Sequence, residues 1–210
     1  MATGVIIAGG RSTRFGEADK AVADLAGTPM IRRVADRIAG VVDALVINCR
    51  SEQVDPIRAA MDGYPLAVRT AEDEDPDEGP MAGIRTGLRA VECEYAFVVA
   101  CDMPFVELPV AEYLLDRAAG RADGPRPRDA AVPQLDEGWY QTTHAAYRAE
   151  AMADACDAAL ARDEHKILAP LEDLDWVAVS EAEISERGSL ETFENVNTRE
   201  ELAAAEERLA

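Results

Sequence analysis

Basic residues are scarce in this sequence. Its 210 residues include 41 Asp and Glu against 21 Lys and Arg, a net charge of −20, and the only lysines are Lys20 and Lys166. So acidic a surface repels nucleic acids and anionic membranes, which argues against both as partners. It suits a protein that stays hydrated in concentrated salt, where the Debye length is about 3 Å at 1 M. We therefore expect a salt-loving source, and any anionic ligand must find positive charge in a few placed residues and a metal.

Patterned cysteines and long apolar runs are also missing. The four cysteines are scattered without a C-x-x-C pair, which argues against a zinc site or a disulfide framework and favours buried apolar roles. No stretch reaches the roughly 18 apolar residues of a membrane span, and the N-terminus runs directly into a strand pattern. We expect a cytoplasmic protein with no membrane or nucleic-acid partner. The oligomeric state is left open.

Strand and helix patterns alternate through the first hundred residues. Helix signals begin at Thr28-Pro29, with Thr28 as the expected cap, and at Gly79-Pro80. Such alternation indicates βαβ units and a parallel sheet, and the chain length fits one α/β domain with a less regular second half. Strands are predicted at 4–8, 44–49, 66–68, 95–101, 130–132, 142–147 and 176–179. Further helices are predicted at 109–119, 148–161, 165–173 and from 198.

The turn after the first strand carries the strongest functional signal. Gly9-Gly-Arg-Ser-Thr-Arg-Phe-Gly16 is followed by Asp19-Lys20, so Arg11, Arg14 and Lys20 gather three cations in an acidic protein. Glycines here let backbone N–H groups approach phosphate oxygens. Neither a P-loop nor a dinucleotide G-x-G-x-x-G motif fits the spacing. The pattern predicts a nucleoside triphosphate site, and an ordinary βα turn with exposed basic residues is the alternative.

A second signal is Asp102, directly after the apolar run 95–101 and before Met103-Pro104. The carboxyl ends of strands in an open parallel sheet face the ligand crevice. A carboxylate at that point is suited to Mg²⁺, which prefers one or two carboxylates plus substrate phosphates. An aspartate that only caps the following turn is the alternative.

Two further segments contain candidate binding residues. Gly79 and Gly83 lie at a helix start, where backbone amides can meet a base or a phosphate. Asn195 and Asn197 are two residues apart, on one side of an extended segment near the C-terminus. The acidic run 72–78 before Gly79 is most simply a solvated loop.

Together these motifs resemble the molybdenum cofactor guanylyltransferase family over nearly the whole chain. The first motif, Ile7 to Lys20, is similar to the family's L-A-G-G-x-x-x-R-M-G-x-x-D-K and is shared by many nucleotidyltransferases, whereas four motifs in order are more specific. Arg199 replaces the usual proline of the last motif, at a helix start where we expect no effect. The other matching segments are Gly79 to Ile84 (G-P-M-A-G-I), Cys101 to Phe105 (C-D-M-P-F), Asn195 to Leu202 (N-V-N-T-R-E-E-L) and His144 to Arg148 (H-A-A-Y-R).

The resemblance implies a single-domain Rossmann-like nucleotidyltransferase fold, a mostly parallel sheet with helices on both faces. It also implies GTP, Mg²⁺ and a molybdopterin acceptor carrying molybdenum. Lys20 falls on the family's phosphate-binding lysine, Asp102 on its metal ligand and Asn48 on a nucleotide-contacting asparagine. A GTP-binding aspartate falls on Asp73, with Glu72 as the rival register. Ile7, Ala8, Gly9 and Gly10 fall on the nucleotide loop.

The function that follows is transfer of GMP from GTP to the acceptor's terminal phosphate, with release of pyrophosphate. Arg14, Lys20 and Asp102 are the expected catalytic residues, and Asp102 is the expected metal ligand. Residues 1–105 are expected to bind the nucleotide and residues 106–210 the acceptor. Another NTP or acceptor (CTP, cobinamide phosphate, a sugar phosphate) and a non-catalytic nucleotide-binding regulator are the alternatives. His165 and Lys166 could touch the acceptor or merely end a surface helix.

Overall fold

The computed structural model describes residues 1–10, 19–73, 79–122, 126–136 and 138–209. The strands are β1 (Thr3–Ile7), β2 (Asp24–Leu25), β3 (Thr28–Pro29), β4 (Ala44–Cys49), β5 (Ala67–Glu72), β6 (Tyr95–Ala100), β7 (Ala130–Gln134), β8 (His144–Arg148) and β9 (Trp176–Ser180). The α-helices are α1 (Met30–Ile38), α2 (Val54–Ala60), α3 (Pro80–Arg89), α4 (Leu108–Ala118), α5 (Ala149–Ala161), α6 (Glu181–Ser185) and α7 (Arg199–Leu209). Short 3₁₀ helices span Lys20–Val22, Ser51–Gln53, Ala169–Asp173 and Leu190–Phe193.

One large sheet organises the described part of the chain. Its seven strands lie in the order β5-β4-β1-β6-β8-β7-β9, and β8 is antiparallel to both of its neighbours while the other pairs are parallel. The expected α/β fold with a mostly parallel sheet is therefore confirmed. Because β1, β4 and β6 are adjacent and parallel, their carboxyl ends meet at one edge of the sheet.

Helices cover both faces of this sheet, as expected. Alternate side chains of β1 point to opposite faces, so Ile6 packs with α1, α2 and α4 while Val5 packs with α3 and α5. Strands buried on both sides read as near-continuous apolar runs. Because helices cover both faces, the four residues Ala96 to Val99 of β6 are fully buried. A rigid central strand results, and it ends at Ala100, two residues before Asp102.

Several local predictions were wrong. Thr28 does not cap α1, because Thr28–Pro29 pairs with Asp24–Leu25 across a turn in which Ala26 and Gly27 have φ of 50° and 80°. The helix then begins at Met30 without a side-chain cap. The predicted helix at 165–173 is only a 3₁₀ turn over Ala169–Asp173, and β5 extends beyond the predicted 66–68.

None of the described helices is both long enough and apolar enough to cross a bilayer.

Candidate functional site

The candidate site lies where β1, β4 and β6 end. Backbone hydrogen bonds continue past the strands: Ala8 N donates to Asn48 O (2.9 Å), Cys101 N to Ile7 O (3.0 Å) and Asp73 N to Cys49 O (2.9 Å). The chain segments at the carboxyl ends of β1, β4, β5 and β6 are therefore held side by side. Side chains from distant parts of the sequence meet at this edge.

Lys20 and Asp102 form the centre of the site. The Nζ of Lys20 lies 2.6 Å from Oδ2 of Asp102 and donates to Oδ1 of Asn197 at 2.8 Å. Asn195 Nδ2 donates to the other oxygen of Asp102 at 2.8 Å. The backbone N–H of Val196, between the two asparagines, donates to Asp102 O at 2.8 Å. Four of the predicted site residues thus form one hydrogen-bonded cluster.

A local cap positions Lys20. Asp19 precedes the 3₁₀ helix Lys20–Val22, and its Oδ1 accepts the N–H of Ala21 at 3.1 Å. Its other oxygen accepts from Gln53 Nε2 at 2.9 Å, and the same Nε2 donates to Ala8 O at 3.0 Å. Gln53 is buried and thereby ties the end of β1 to the turn that carries Lys20. The sequence reasoning missed Gln53, because a single glutamine in an unpredicted turn carries no motif.

A second cluster, which we call the Asn48–Asp73 pocket, lies at the ends of β4 and β5. Asn48 is fully buried, and its Nδ2 donates to Asp73 Oδ1 at 2.6 Å and to Ala71 O at 3.3 Å. Its Oδ1 has no hydrogen-bond partner among the described residues. A buried acceptor without a partner is costly, and a bound donor would relieve that cost.

Asp73 and Glu72, the two alternatives for the GTP-binding carboxylate, differ in burial. Asp73 is in the pocket, and burial raises the pKa of its carboxyl, opposed by hydrogen bonds from Asn48 and Thr86. Glu72 is exposed. Thr86 on α3 is the other pocket residue that the sequence reasoning missed, and a lone threonine inside a helix gives no signal.

Two glycines form the walls of the Asn48–Asp73 pocket. A Cβ on Gly9 would lie 2.4 Å from Asp73 Oδ2, and a Cβ on Gly83 would lie 2.6 Å from Asn48 Oδ1. Neither position accepts a larger residue without displacing a pocket side chain. Gly79 directly precedes α3 with φ of +87°, and Gly10 is exposed with open space around it.

Some predicted residues lie elsewhere. Arg14 belongs to residues 11–18, outside the described residues, and so do residues 74–78 of the acidic run. His165 and Lys166 follow α5 and are both exposed. The structure therefore brings together Ile7, Ala8 and Gly9 with Lys20, Asn48, Asp73, Gly83, Asp102, Asn195 and Asn197 along one edge of the sheet.

Comparison with known proteins identifies the family to which the chain belongs. Residues 4–175 match the sequence model of the MobA-like NTP transferase domain. A "Probable molybdenum cofactor guanylyltransferase" of the haloarchaeon Natronomonas pharaonis is 49% identical over 99% of this chain and 98% of its own length. One of the same name from Haloferax mediterranei is 36% identical over 98% of this chain and 93% of its own. The expected salt-loving source fits these relatives.

Solved structures agree on the fold. The crystal structure of "Molybdopterin-guanine dinucleotide biosynthesis protein A" from Archaeoglobus fulgidus superposes with a TM-score of 0.77 at 28% identity, covering 99% of this chain and 98% of that chain. A nucleotidyl transferase of Methanothermobacter, 18% identical with a TM-score of 0.69, shares the fold. The chain therefore belongs to the MobA-like NTP transferase family and is a nucleotidyltransferase of its molybdenum cofactor guanylyltransferase group.

Proposed function

We propose that this enzyme transfers GMP from GTP to the terminal phosphate of molybdenum-bearing molybdopterin and releases pyrophosphate. The observation that carries the proposal is the Lys20–Asp102–Asn195–Asn197 cluster beside the Asn48–Asp73 pocket. The names of the relatives supply the choice of base and acceptor.

The Asn48–Asp73 pocket suits the base. An ionised carboxylate only accepts hydrogen bonds, and guanine offers two adjacent donors, the ring N1–H and the 2-amino group. Asp73 is the acceptor we assign to them. Gly9 and Gly83 keep the approach free of side chains. The backbone of Ile7 to Gly10 then leads from the pocket towards Lys20.

The Lys20 cluster suits the phosphates. In the reaction, an oxygen of the acceptor's terminal phosphate forms a bond to the α-phosphorus of GTP in line with the bond that breaks to pyrophosphate. Lys20, together with Arg14, stabilises the charge that builds on the leaving pyrophosphate. The attacking phosphate is already ionised, so no general base is required. Catalysis comes from positioning and charge neutralisation.

The donor set at Asp102 fits Mg²⁺. Among the described residues no group of three or more His, Cys, Asp or Glu gathers as a metal cage. A single carboxylate is the arrangement expected for an ion that takes most of its ligands from water and substrate phosphates. Asp102 would hold the ion, and Asn195, which donates to that carboxylate, would orient it. When bound, Mg²⁺ neutralises charge on the phosphates.

Residues 106–210 of this one domain are proposed to bind the acceptor and residues 1–105 the nucleotide. The β7–β8 connection supports this, because Val99 of β6 pairs with His144 and Ala100 N donates to Thr143 O (3.0 Å). The connection therefore lies at the same edge as Asp102. It carries Trp139, which is 70% exposed and is the one exposed Phe, Tyr or Trp among the described residues.

Trp139→Ala is expected to raise the KM for the acceptor about ten-fold, since stacking of an aromatic ring on a flat heterocycle is worth about 1–3 kcal/mol. The KM for GTP should not change. Steady-state kinetics with each substrate varied measures both, and Trp139→Phe is the control that keeps a stacking face. An unchanged acceptor KM in the alanine variant would exclude the contact.

Base selection is expected to depend on Asp73. Asp73→Asn should lower kcat/KM for GTP about ten-fold or more, because one guanine donor then faces an amide N–H. Glu72→Gln, a neutralisation at the adjacent exposed position, is the matched control and should have little effect. Turnover of GTP and CTP is compared in all three proteins, and equal use of both by the wild type would contradict the guanylyltransferase assignment.

The experiment that tests the proposed function incubates the protein with each NTP and with molybdopterin, cobinamide phosphate or a sugar phosphate. Pyrophosphate release and the mass of the product are measured. We expect a product only from GTP with molybdopterin. Release with another pair would identify a different acceptor or base, and nucleotide binding without release would identify a non-catalytic regulator.

A further inference from the structure

A buried histidine lies beneath the segment that supplies both site asparagines. His144 on β8 has no exposed surface, and burial lowers the pKa of its imidazole to about 3, so the ring is neutral. It pairs in register with Val99, close to the end of β6. None of the roles assigned above uses it.

Two contacts of His144 join it to the 3₁₀ helix Leu190–Phe193. Its Nε2 is 3.4 Å from Oγ1 of Thr192, and its ring meets that of Phe193 edge-on at a centroid distance of 4.7 Å. On the other side it meets Phe97 of β6 at 5.2 Å. Thr192 is fully buried, and its Oγ1 also accepts the N–H of Glu107 at 3.0 Å. His144 is thus the point at which the 3₁₀ helix Leu190–Phe193 rests on the sheet.

That helix leads directly into the site. Only Glu194 separates Phe193 from Asn195. The next residue, Val196, donates its N–H to Asp102 O at 2.8 Å. Phe193 and Asn195 are two residues apart on one short segment, so we expect a change in the packing of Phe193 to shift Asn195 and Asn197. A misplacement of about 1 Å in a reacting site can cost roughly 100-fold in rate.

The imidazole of His144 lowers the stability of the fold in a way that a phenyl ring would not. The Nδ1 of His144 is buried and has no hydrogen-bond partner among the described residues. Burial of an unpaired polar atom lowers stability, whereas Phe fills a similar volume without it. The nitrogen that does have a partner, Nε2, faces Thr192. This bond is the contact that a phenyl ring in the same place would lack.

We propose that His144 is a positioning residue: through Thr192 and Phe193 it fixes the segment 195–197, and so holds Asn195 against Asp102 and Asn197 against Lys20. As a statement about turnover, this rests on the function proposed above. As a statement about the position of the segment, it stands without that function.

His144→Phe keeps the ring contacts and removes the hydrogen bond. We expect kcat to fall about ten-fold, with the KM for GTP unchanged because the Asn48–Asp73 pocket lies on other strands. In this background, Asn195→Ala should cost much less than it does in the wild type, because the asparagine is already misplaced. Additive losses would overturn the proposal. His144→Gln, whose amide nitrogen can reach the position of Nε2, should recover part of kcat.

Tyr147→Phe is the matched control. Tyr147 is fully buried on the same strand, and its hydroxyl donates to Thr142 O at 2.8 Å, away from the segment 190–198. Its loss removes one buried hydrogen bond from the same strand and should leave kcat in place. An equal fall of kcat in both variants would reduce His144 to a general stabilising residue and overturn the proposal.

Hydrogen exchange at the Val196 amide gives a readout that needs no turnover. We expect faster exchange in His144→Phe, since the bond from Val196 to Asp102 loosens, and no change in Tyr147→Phe. Should the wild type prove inactive with GTP and molybdopterin, the proposed function fails, and the exchange rates still decide the role of His144. If His144→Phe does not fold, the same comparison is made with Thr192→Val, which removes the bond to His144 from the other side. Unchanged exchange at Val196 in Thr192→Val would overturn the proposal.

Discussion

Replacement of Asp102 by asparagine is expected to leave the protein folded and to lower Mg²⁺-dependent turnover about 100-fold or more. The shape of the side chain is kept, but its charge is lost. Lys20 and Asn195 both donate to this carboxylate, so the NH₂ of an asparagine must face one of two donors. The substitution therefore removes the proposed metal ligand and the charged partner of Lys20 together.

Pyrophosphate release as a function of Mg²⁺ concentration measures the effect, and circular dichroism checks the fold. Calorimetry should show weak binding of Mg²⁺ to the protein alone and much tighter binding with GTP. Asp129→Asn is the matched control, since Asp129 is a half-buried carboxylate that pairs with Arg148, outside the site. If Asp102 only caps a turn, asparagine replaces it well. Normal activity with normal Mg²⁺ dependence would therefore move the metal site to the acidic run 72–78.

Replacement of Lys20 by alanine is expected to lower kcat/KM by about 2–4 kcal/mol in transition-state free energy, by analogy with the loss of one oxyanion donor. Lys20 is 7% exposed and lies between Asp102 and Asn197, so its ammonium is held in place rather than mobile. Lys20→Met keeps the packing of the stem and removes the charge, and we expect it to be nearly as inactive as alanine.

Lys20→Arg should recover only part of the activity, because the guanidinium is larger and differently shaped than the ammonium that fits this position. Steady-state kinetics of the three variants, together with their melting temperatures, separates catalysis from stability. Unchanged turnover in Lys20→Ala would exclude the role.

The ends of β1 and β6 were predictable because both strands are buried on two faces. A continuous apolar run that stops at a glycine or an aspartate marks where such a strand meets solvent. Lys20 and Asp102 could therefore be named separately, one for the phosphates and one for the metal. Their contact of 2.6 Å could not be predicted, since it depends on β1 and β6 being neighbours in the sheet. The roles of both residues stay predictions.

Other features had no sequence signal of their own. The turn at Ala26-Gly27 uses two positive φ angles without the Asn-Gly or Asp-Gly pair that usually announces it, so Thr28 was misread as a cap. β5 is an edge strand whose exposed Arg69 and Glu72 interrupt its apolar pattern. Gln53 acts through two hydrogen bonds that exist only once the end of β1 and the turn at Asp19 are in place.

Asn195 and Asn197 lie far along the chain from their partners Asp102 and Lys20, which affects the order in which the site forms during synthesis. Lys20, Asn48, Asp73 and Asp102 all precede them by at least 93 positions, the separation of Asp102 and Asn195. On the ribosome, strands β1, β4, β5 and β6 emerge long before the segment that closes over Asp102. A nascent chain can therefore assemble these four strands early, whereas the hydrogen bonds of Asn195 and Val196 to Asp102 form only after segment 195–197 has emerged and folded back onto the sheet.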